Sequence, residues 1–368
     1  MNHRERFLAA FAFQEPDRVP RYASLTPAVL EEFRRRTGHH DPAEYWDFDI
    51  AGVGFRPPDP APDLWARFGR YYQDIGVECV LDWNKRDFPP EWGVATRPAH
   101  FYHLSAPVSP MTRFTSVAEL DEYPWPDYVG EWRHDHLEGE IERLKGAGYP
   151  VDAHVGWIFQ TAWTLRSEVK LFADFYDNPD FADALLTRIT KIRKAQAVRL
   201  VQAGVDSISL NDDIGSQRGM IISPSMWREW LKPHLKDLID AIRQVNPDVL
   251  FRYHSDGNYL PVIPDMIELG VSSLRTVQPE AVNVFEVKHQ FGGANPDARI
   301  VLEGTIGLQG DLMHGTPEDV RRMVKEQCEG LMPGGGWIAS PGNGVTPDVP
   351  WENLAMLFQA LDEYSYYR

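Results

Sequence analysis

From about residue 150 onward, short apolar runs alternate with segments whose apolar residues recur every three or four positions. The runs cover 151–156, 205–210, 249–253, 271–274, 300–302 and 337–339, and each reads as a buried strand. Between them the helical period is explicit. In "GTPEDVRRMVKEQCEGLMPGGG", Val320, Met323, Val324, Cys328 and Leu331 fall on one face. Thr316 suits the cap, Pro317 the first turn, and the glycines at 334–336 the end. "ISPSMWREWLKPHLKDLIDAIRQVNPD" opens the same way on Ser223 and Pro224, and Pro233 inside it predicts a kink or a break.

Strands alternating with helices imply parallel pairing through right-handed crossovers. Six such units in little more than half of 368 residues favour one closed (β/α)8 TIM barrel, an α/β fold, with the whole chain 1–368 as a single domain. The first 150 residues supply the opening strand and a helix over 28–36. They also carry a proline- and aromatic-rich insertion at 55–128, placed to roof the pocket. A doubly wound sheet is the competing arrangement, but neither a dinucleotide fingerprint nor a P-loop occurs.

Charge narrows the partners. With 54 acidic against 37 basic residues the formal net charge is −17, which repels nucleic acid and anionic membrane surfaces. The cluster Arg34, Arg35 and Arg36 falls late in the 28–36 helix, where cations suit the dipole. Cys79 and Cys328 are too few for a disulfide framework and fit a reducing cytoplasm. Cys328 lies on an apolar helix stripe, and Cys79 has no neighbouring ligand. Neither suggests zinc. "FLAAFAF" is short for a signal peptide and is followed by "QEPDR" without a cleavage site, and no segment is long enough to span a bilayer.

In a β/α barrel the reactive groups sit at the C-terminal ends of the strands. There the chain offers Asn211, Asp212, Asp213 and Gln217, then His254 and Asp256, then Arg275 and Gln278, then Glu303 and Thr305, and finally Ser340 and Asn343. Acids or imidazole thus recur at one depth on three strands. The bland readings stand beside this: Asp256-Gly257 is a common turn pair, and Asn343 between glycines suits a left-handed backbone. His254, Asp256 and Glu303 are a candidate set for a divalent metal such as zinc. Trp83, Trp92 and Trp157 are candidates to wall an apolar pocket, whereas His103, His134 and His136 lack ligand spacing.

Five stretches resemble the uroporphyrinogen decarboxylase superfamily: "RERFLAAFAFQEPDRVP", "NDDIGSQRGMIISPSMWREWLKPHLKDLIDAIR", "YHSDGNYLPVIPDMIELGVSSL", "LEGTIGLQGDLMHGTPEDV" and "PGGGWIASPGNGVTPDVPWENLAM". The resemblance implies a single (β/α)8 barrel. It also implies one of two chemistries: cofactor-free decarboxylation in porphyrin biosynthesis, or methyl transfer to or from thiols and corrinoid proteins, usually with zinc. The chain departs from both patterns. The decarboxylase "MRQAGR" motif is replaced by "RYASLTPAVLEEF", which leaves Arg21. "FDI" with Asp49 resembles the catalytic aspartate segment, and Asn343 in "GNG" stands for the late histidine. The zinc methyltransferases' His-x-Cys and later Cys read His254, Asp256 and Asn343.

A polycarboxylate substrate needs several fixed cations, which an acidic chain without the arginine motif is poorly equipped to supply. The resemblance therefore points first to a divergent methyltransferase or demethylase acting on a small methylated or methoxylated compound, with a corrinoid protein as acceptor. Decarboxylation of a porphyrinogen comes second, and a non-catalytic small-ligand barrel third. Expected roles are metal binding or acid catalysis for His254 with Asp256 or Glu303, and catalysis by Asp213 and Asp49. Substrate contact is expected from Arg21, Asn211, Asp212, Gln217, Trp157, Gln278 and Asn343. A second copy of the chain is a further candidate partner.

Overall fold

The computed structural model describes residues 1–59, 61–73, 75–83, 90–98, 105–293 and 299–367. Six strands pair in parallel and in chain order: β1 (Ala51–Val53), β2 (Val151–Trp157), β3 (Ser207–Asn211), β4 (Leu250–His254), β5 (Ser273–Arg275) and β6 (Val301–Glu303). Two short segments complete the ring. Trp337 bridges Leu302 and Ala339 bridges Arg21, both in parallel. The Asp49 amide then donates to the Arg21 carbonyl at 2.8 Å, which returns the sheet to β1. The eight staves of a closed TIM barrel are therefore present, and closure leaves no sheet edge.

Helices cover the outside, those between the strands and the one near 28–36 where the periodicity placed them. They include α1 (His3–Phe11), α2 (Pro27–Thr37), α3 (Phe159–Arg166), α4 (Pro179–Gln202), α5 (Lys232–Val245), α6 (Pro317–Leu331) and α7 (Trp351–Tyr364). In α6 Thr316 and Asp319 form a capping box, and Val320, Val324, Cys328 and Leu331 are buried. Upstream of α5, the expected break at Pro233 takes the form of a π-helical turn at Trp227–Leu231. Proline lacks an N–H and crowds the carbonyl four residues back, so the widened turn relieves it. Helix α1 buries Phe7 and Ala10 against Val301 and Ile338, plugging the barrel at the N-terminal ends of its strands. Among the described residues, no helix is long and apolar enough to cross a membrane.

Polar side chains fill the middle of the barrel. Arg252, 1% exposed, pairs with Glu303 and with Asp152 at 3.2 Å. Ser273 donates to Glu303, and Ser207 and Ser209 donate to Asp152. A buried pair survives only when its remaining lone pairs are satisfied, and these hydroxyls satisfy them.

The described part of 55–128 attaches beside the C-terminal end of β2. Trp92, fully buried, lies 4.6 Å beneath the Arg193 guanidinium of α4, and Arg166 of α3 donates to the carbonyls of Met111 and Phe114. Trp83 is half-buried with its ring N–H on the Pro62 carbonyl. No hydrogen bond, ion pair or ring contact among the described residues joins this segment to His254. Residues 84–89 and 99–104, with His103, lie outside the described residues.

Candidate active site

Strand register places the functional side chains. Trp157 pairs with Asn211, Asn211 with His254, and Arg275 with Glu303. The pairing of Arg252 with Ser273, carried two residues on, sets His254 beside Arg275. The row depends on a bulge in β2, where the register shifts between His154 and Gly156. Gly156 has φ 90°, and a Cβ there would sit 2.7 Å from the Arg193 guanidinium carbon, so only glycine fits. The bulge re-aims Trp157 into the row.

Asp213, just past β3, and Asp256, just past β4, close on the same imidazole. His254 Nε2 lies 3.6 Å from Asp213 Oδ1 and 3.7 Å from Asp256 Oδ1. The turn after His254 is built for this. Gly257, at φ 76°, lets the chain pass against the Ser216 backbone, its N–H donates to Gln278 Oε1 at 3.0 Å, and the Asp256 N–H donates to Asp213 Oδ1 at 3.0 Å. Asn343 donates its amide to both Asp256 oxygens.

The tautomer of His254 follows from its other neighbour. Thr276 Oγ1 lies 3.3 Å from Nδ1 and spends its own proton on the Gly342 carbonyl. It can therefore only accept from Nδ1–H, which leaves Nε2 as the ring nitrogen facing two carboxylates. His254 Nε2, Asp213 Oδ1 and Asp256 Oδ1 thus converge, the two carboxylates also held by the Asp256 N–H and the Asn343 amide. The ligand atoms of Asp213, His254 and Asp256, all within 4.8 Å of one another, suit zinc or another divalent ion. Burial, reinforced by Asp213, raises the Asp256 pKa, although His254 and Asn343 oppose it.

His154, on β2, was missed because its run reads as plain strand. Its parity matches inward-facing Asp152, and its ring is nevertheless exposed, so solvent reaches down the lumen to that depth. The ring stands edge-on to Trp157 at 5.4 Å. Surrounding protein first, then the charges of Arg275 and Arg193, push its pKa down to about 4. At the same rim Trp157 Nε1 and Asn211 Oδ1 are buried without a protein partner among the described residues.

Other expected site residues are placed elsewhere. Glu303 is fully buried with its carboxylate committed to Arg252 and Ser273, so it does not join the candidate metal group, which has Asp213 and Asp256 from the β3 and β4 ends beside His254. Asp49 lies at the opposite, N-terminal end of the barrel. It accepts from His3, Arg6 and Arg18 at 3.0, 2.6 and 2.7 Å, a structural knot instead of a catalytic group. Burial alone would raise its pKa, but His3 and Arg18 hold it below the usual carboxylate value. Arg21 points outward to Asp362 on α7 at 2.6 Å, away from the lumen. Asp212 turns behind the row and accepts from the Ile158 and Gln160 amides at the start of α3 at 3.1 and 3.0 Å; burial pushes its pKa up to about 7. Gln217, exposed, bonds Gln309 at 2.7 Å and bridges two rim loops.

The uroporphyrinogen decarboxylase (URO-D) family model matches residues 107–364. A uroporphyrinogen decarboxylase of Pelodictyon phaeoclathratiforme is 24% identical over 266 residues, covering 68% of this chain and 70% of its own length. The methylcobamide:CoM methyltransferase MtaA of Methanosarcina barkeri is 29% identical over 185 residues, half of each chain. Among solved structures, a methyltransferase from Methanosarcina mazei superposes with a TM-score of 0.64 at 18% identity over 99% of both chains, a likeness of fold. With both kinds of enzyme among its relatives, the chain belongs to the uroporphyrinogen decarboxylase family, as a divergent member.

Proposed function

We propose that this barrel transfers a methyl group from a small methylated or methoxylated compound to a corrinoid carried by a partner protein. The observation that supports this reading is the convergence of ligand atoms from Asp213, His254 and Asp256, which fits a divalent cation. When bound, such an ion polarises the heteroatom that leaves the methyl group. The chain's own residues do the positioning: Thr276 fixes the imidazole, Asn343 holds Asp256, and Trp157 walls the lumen. The corrinoid acceptor is suggested by the methylcobamide in the name of the Methanosarcina barkeri relative. The described part of 55–128, attached at the rim, is proposed to shape access to the mouth.

Metal analysis of the purified protein, alongside methyl transfer to free cob(I)alamin from methylated and methoxylated compounds, tests the reading. About one divalent ion per chain is expected in the wild type and none in His254→Ala, with methyl transfer abolished. A metal-free protein whose His254→Ala variant keeps full activity overturns it. Decarboxylation is the second reading, supported by the curated decarboxylase relatives. Release of CO2 from uroporphyrinogen would establish it.

A further inference from the structure

Arg275, at the end of β5, makes no ion pair with an acid among the described residues. Its register partner Glu303 is taken by Arg252 and Ser273. No carboxylate among the described residues comes within ion-pair distance of the Arg275 guanidinium, although Asp152 feels its charge from farther off. By contrast, Arg252 is matched by Glu303 and Asp152, and Arg6 and Arg18 by Asp49. Arg275 is held by neutral oxygens instead. Its Nε donates to the Tyr22 hydroxyl at 2.8 Å and its Nη1 to Ser209 Oγ at 3.0 Å, which fix the plane of the fork. Nη2 makes no hydrogen bond with the described protein, and the side chain is half-buried in the same lumen that exposes His154. A guanidinium oriented by neutral partners with a free edge is arranged for a planar anion.

We propose that Arg275 anchors the carboxylate of the substrate, with Tyr22 and Ser209 setting its orientation and the His154 ring beside it. This rests on the methyl-transfer reading for the other end of the molecule. Neighbouring strands lie about 4.8 Å apart, so Arg275 stands one strand from His254. A ligand seated on Arg275 would present its far end to Asp213, His254 and Asp256. The substrate class is therefore a small carboxylic acid bearing a methylated heteroatom a few bonds from the carboxylate.

Titration calorimetry of the zinc-loaded protein with 4-methoxybenzoate and the isosteric, uncharged 4-methoxybenzamide tests this without requiring turnover. The carboxylate is expected to bind at least about tenfold tighter than the amide, each decade corresponding to about 1.4 kcal/mol. Arg275→Met should remove that preference while leaving zinc stoichiometry unchanged. Arg275→Lys, which keeps the charge and loses the fork, should retain part of it, and circular dichroism checks that both variants fold. Equal binding of acid and amide, no binding of the acid, or an undiminished preference in folded Arg275→Met or an absent one in wild type overturns the proposal. Carboxylate binding that depends on Arg275 without methyl transfer would instead overturn only the reaction assigned above.

Discussion

Asn343 donates its side-chain amide to both carboxylate oxygens of Asp256, at 2.8 and 2.9 Å, across 87 residues of chain. The contact ties the loop after the last barrel strand to the turn after β4. It fixes Asp256 toward His254, where a mobile carboxylate would bind a cation weakly.

Replacing Asn343 with Leu should therefore weaken divalent binding by about 10- to 100-fold, the usual effect of losing a group that orients a ligand. Competition against a zinc-sensitive dye measures it. Because Asn343 is exposed, thermal stability should change little. Unaltered zinc affinity would show that Asp256 is not a ligand.

Thr276 makes a second check on the same cluster. Thr276→Val keeps the shape but removes the oxygen that accepts from His254 Nδ1 and donates to Gly342. Zinc affinity should fall by about tenfold or more, and Thr276→Ser should restore most of it. NMR of the imidazole nitrogens reports whether the Nδ1–H tautomer is lost.

Glu303 belongs to stability. Glu303→Gln leaves Arg252 buried with only Asp152 for compensation, a loss of about 3–5 kcal/mol, visible as a lower denaturation midpoint. Zinc stoichiometry of the folded variant should match wild type. A variant of normal stability that loses zinc would return Glu303 to the metal set.

Asp49 predicts a pH signature. Its folded pKa is held below the ordinary carboxylate value by His3 and Arg18 despite burial. Its contribution is thus complete above about pH 4 and is lost as pH falls through the folded value. Asp49→Asn should melt well below wild type at pH 7, and the gap should narrow toward pH 3. Zinc binding should be unaffected, because the knot lies at the other end of the barrel.

Much of the barrel was legible because two periods suffice for it: runs of three to six residues for strands, and a 3.6-residue stripe for helices. The cap at Thr316 and the interruption before Pro233 are local chemistry, and both are found. The site was half legible. Strand ends named Asp213, His254, Asp256 and Asn343, because position along a strand sets depth. What the sequence hides is which partner each charge meets. Glu303 and His254 read alike, but Glu303 faces Arg252 from 51 residues away. Arg21 looked like a pocket cation until Asp362, 341 residues distant, claimed it. Asp212 and Asp213 differ by one step, and strand alternation sends one behind the row and the other to the imidazole. His154 was overlooked because a single polar residue in an apolar run signals nothing until the neighbouring strands show it facing a wet lumen.

The salt-linked girdle of Arg252, Glu303 and Asp152 has a practical consequence for redesign. It bolts the staves together at mid-height, with an apolar plug beneath and the reacting groups above. Loops and end residues on the upper side can be exchanged for a differently shaped guest while the keystone stays untouched. The same girdle sets a hard bottom to the chamber, so longer guests would have to extend outward toward solvent.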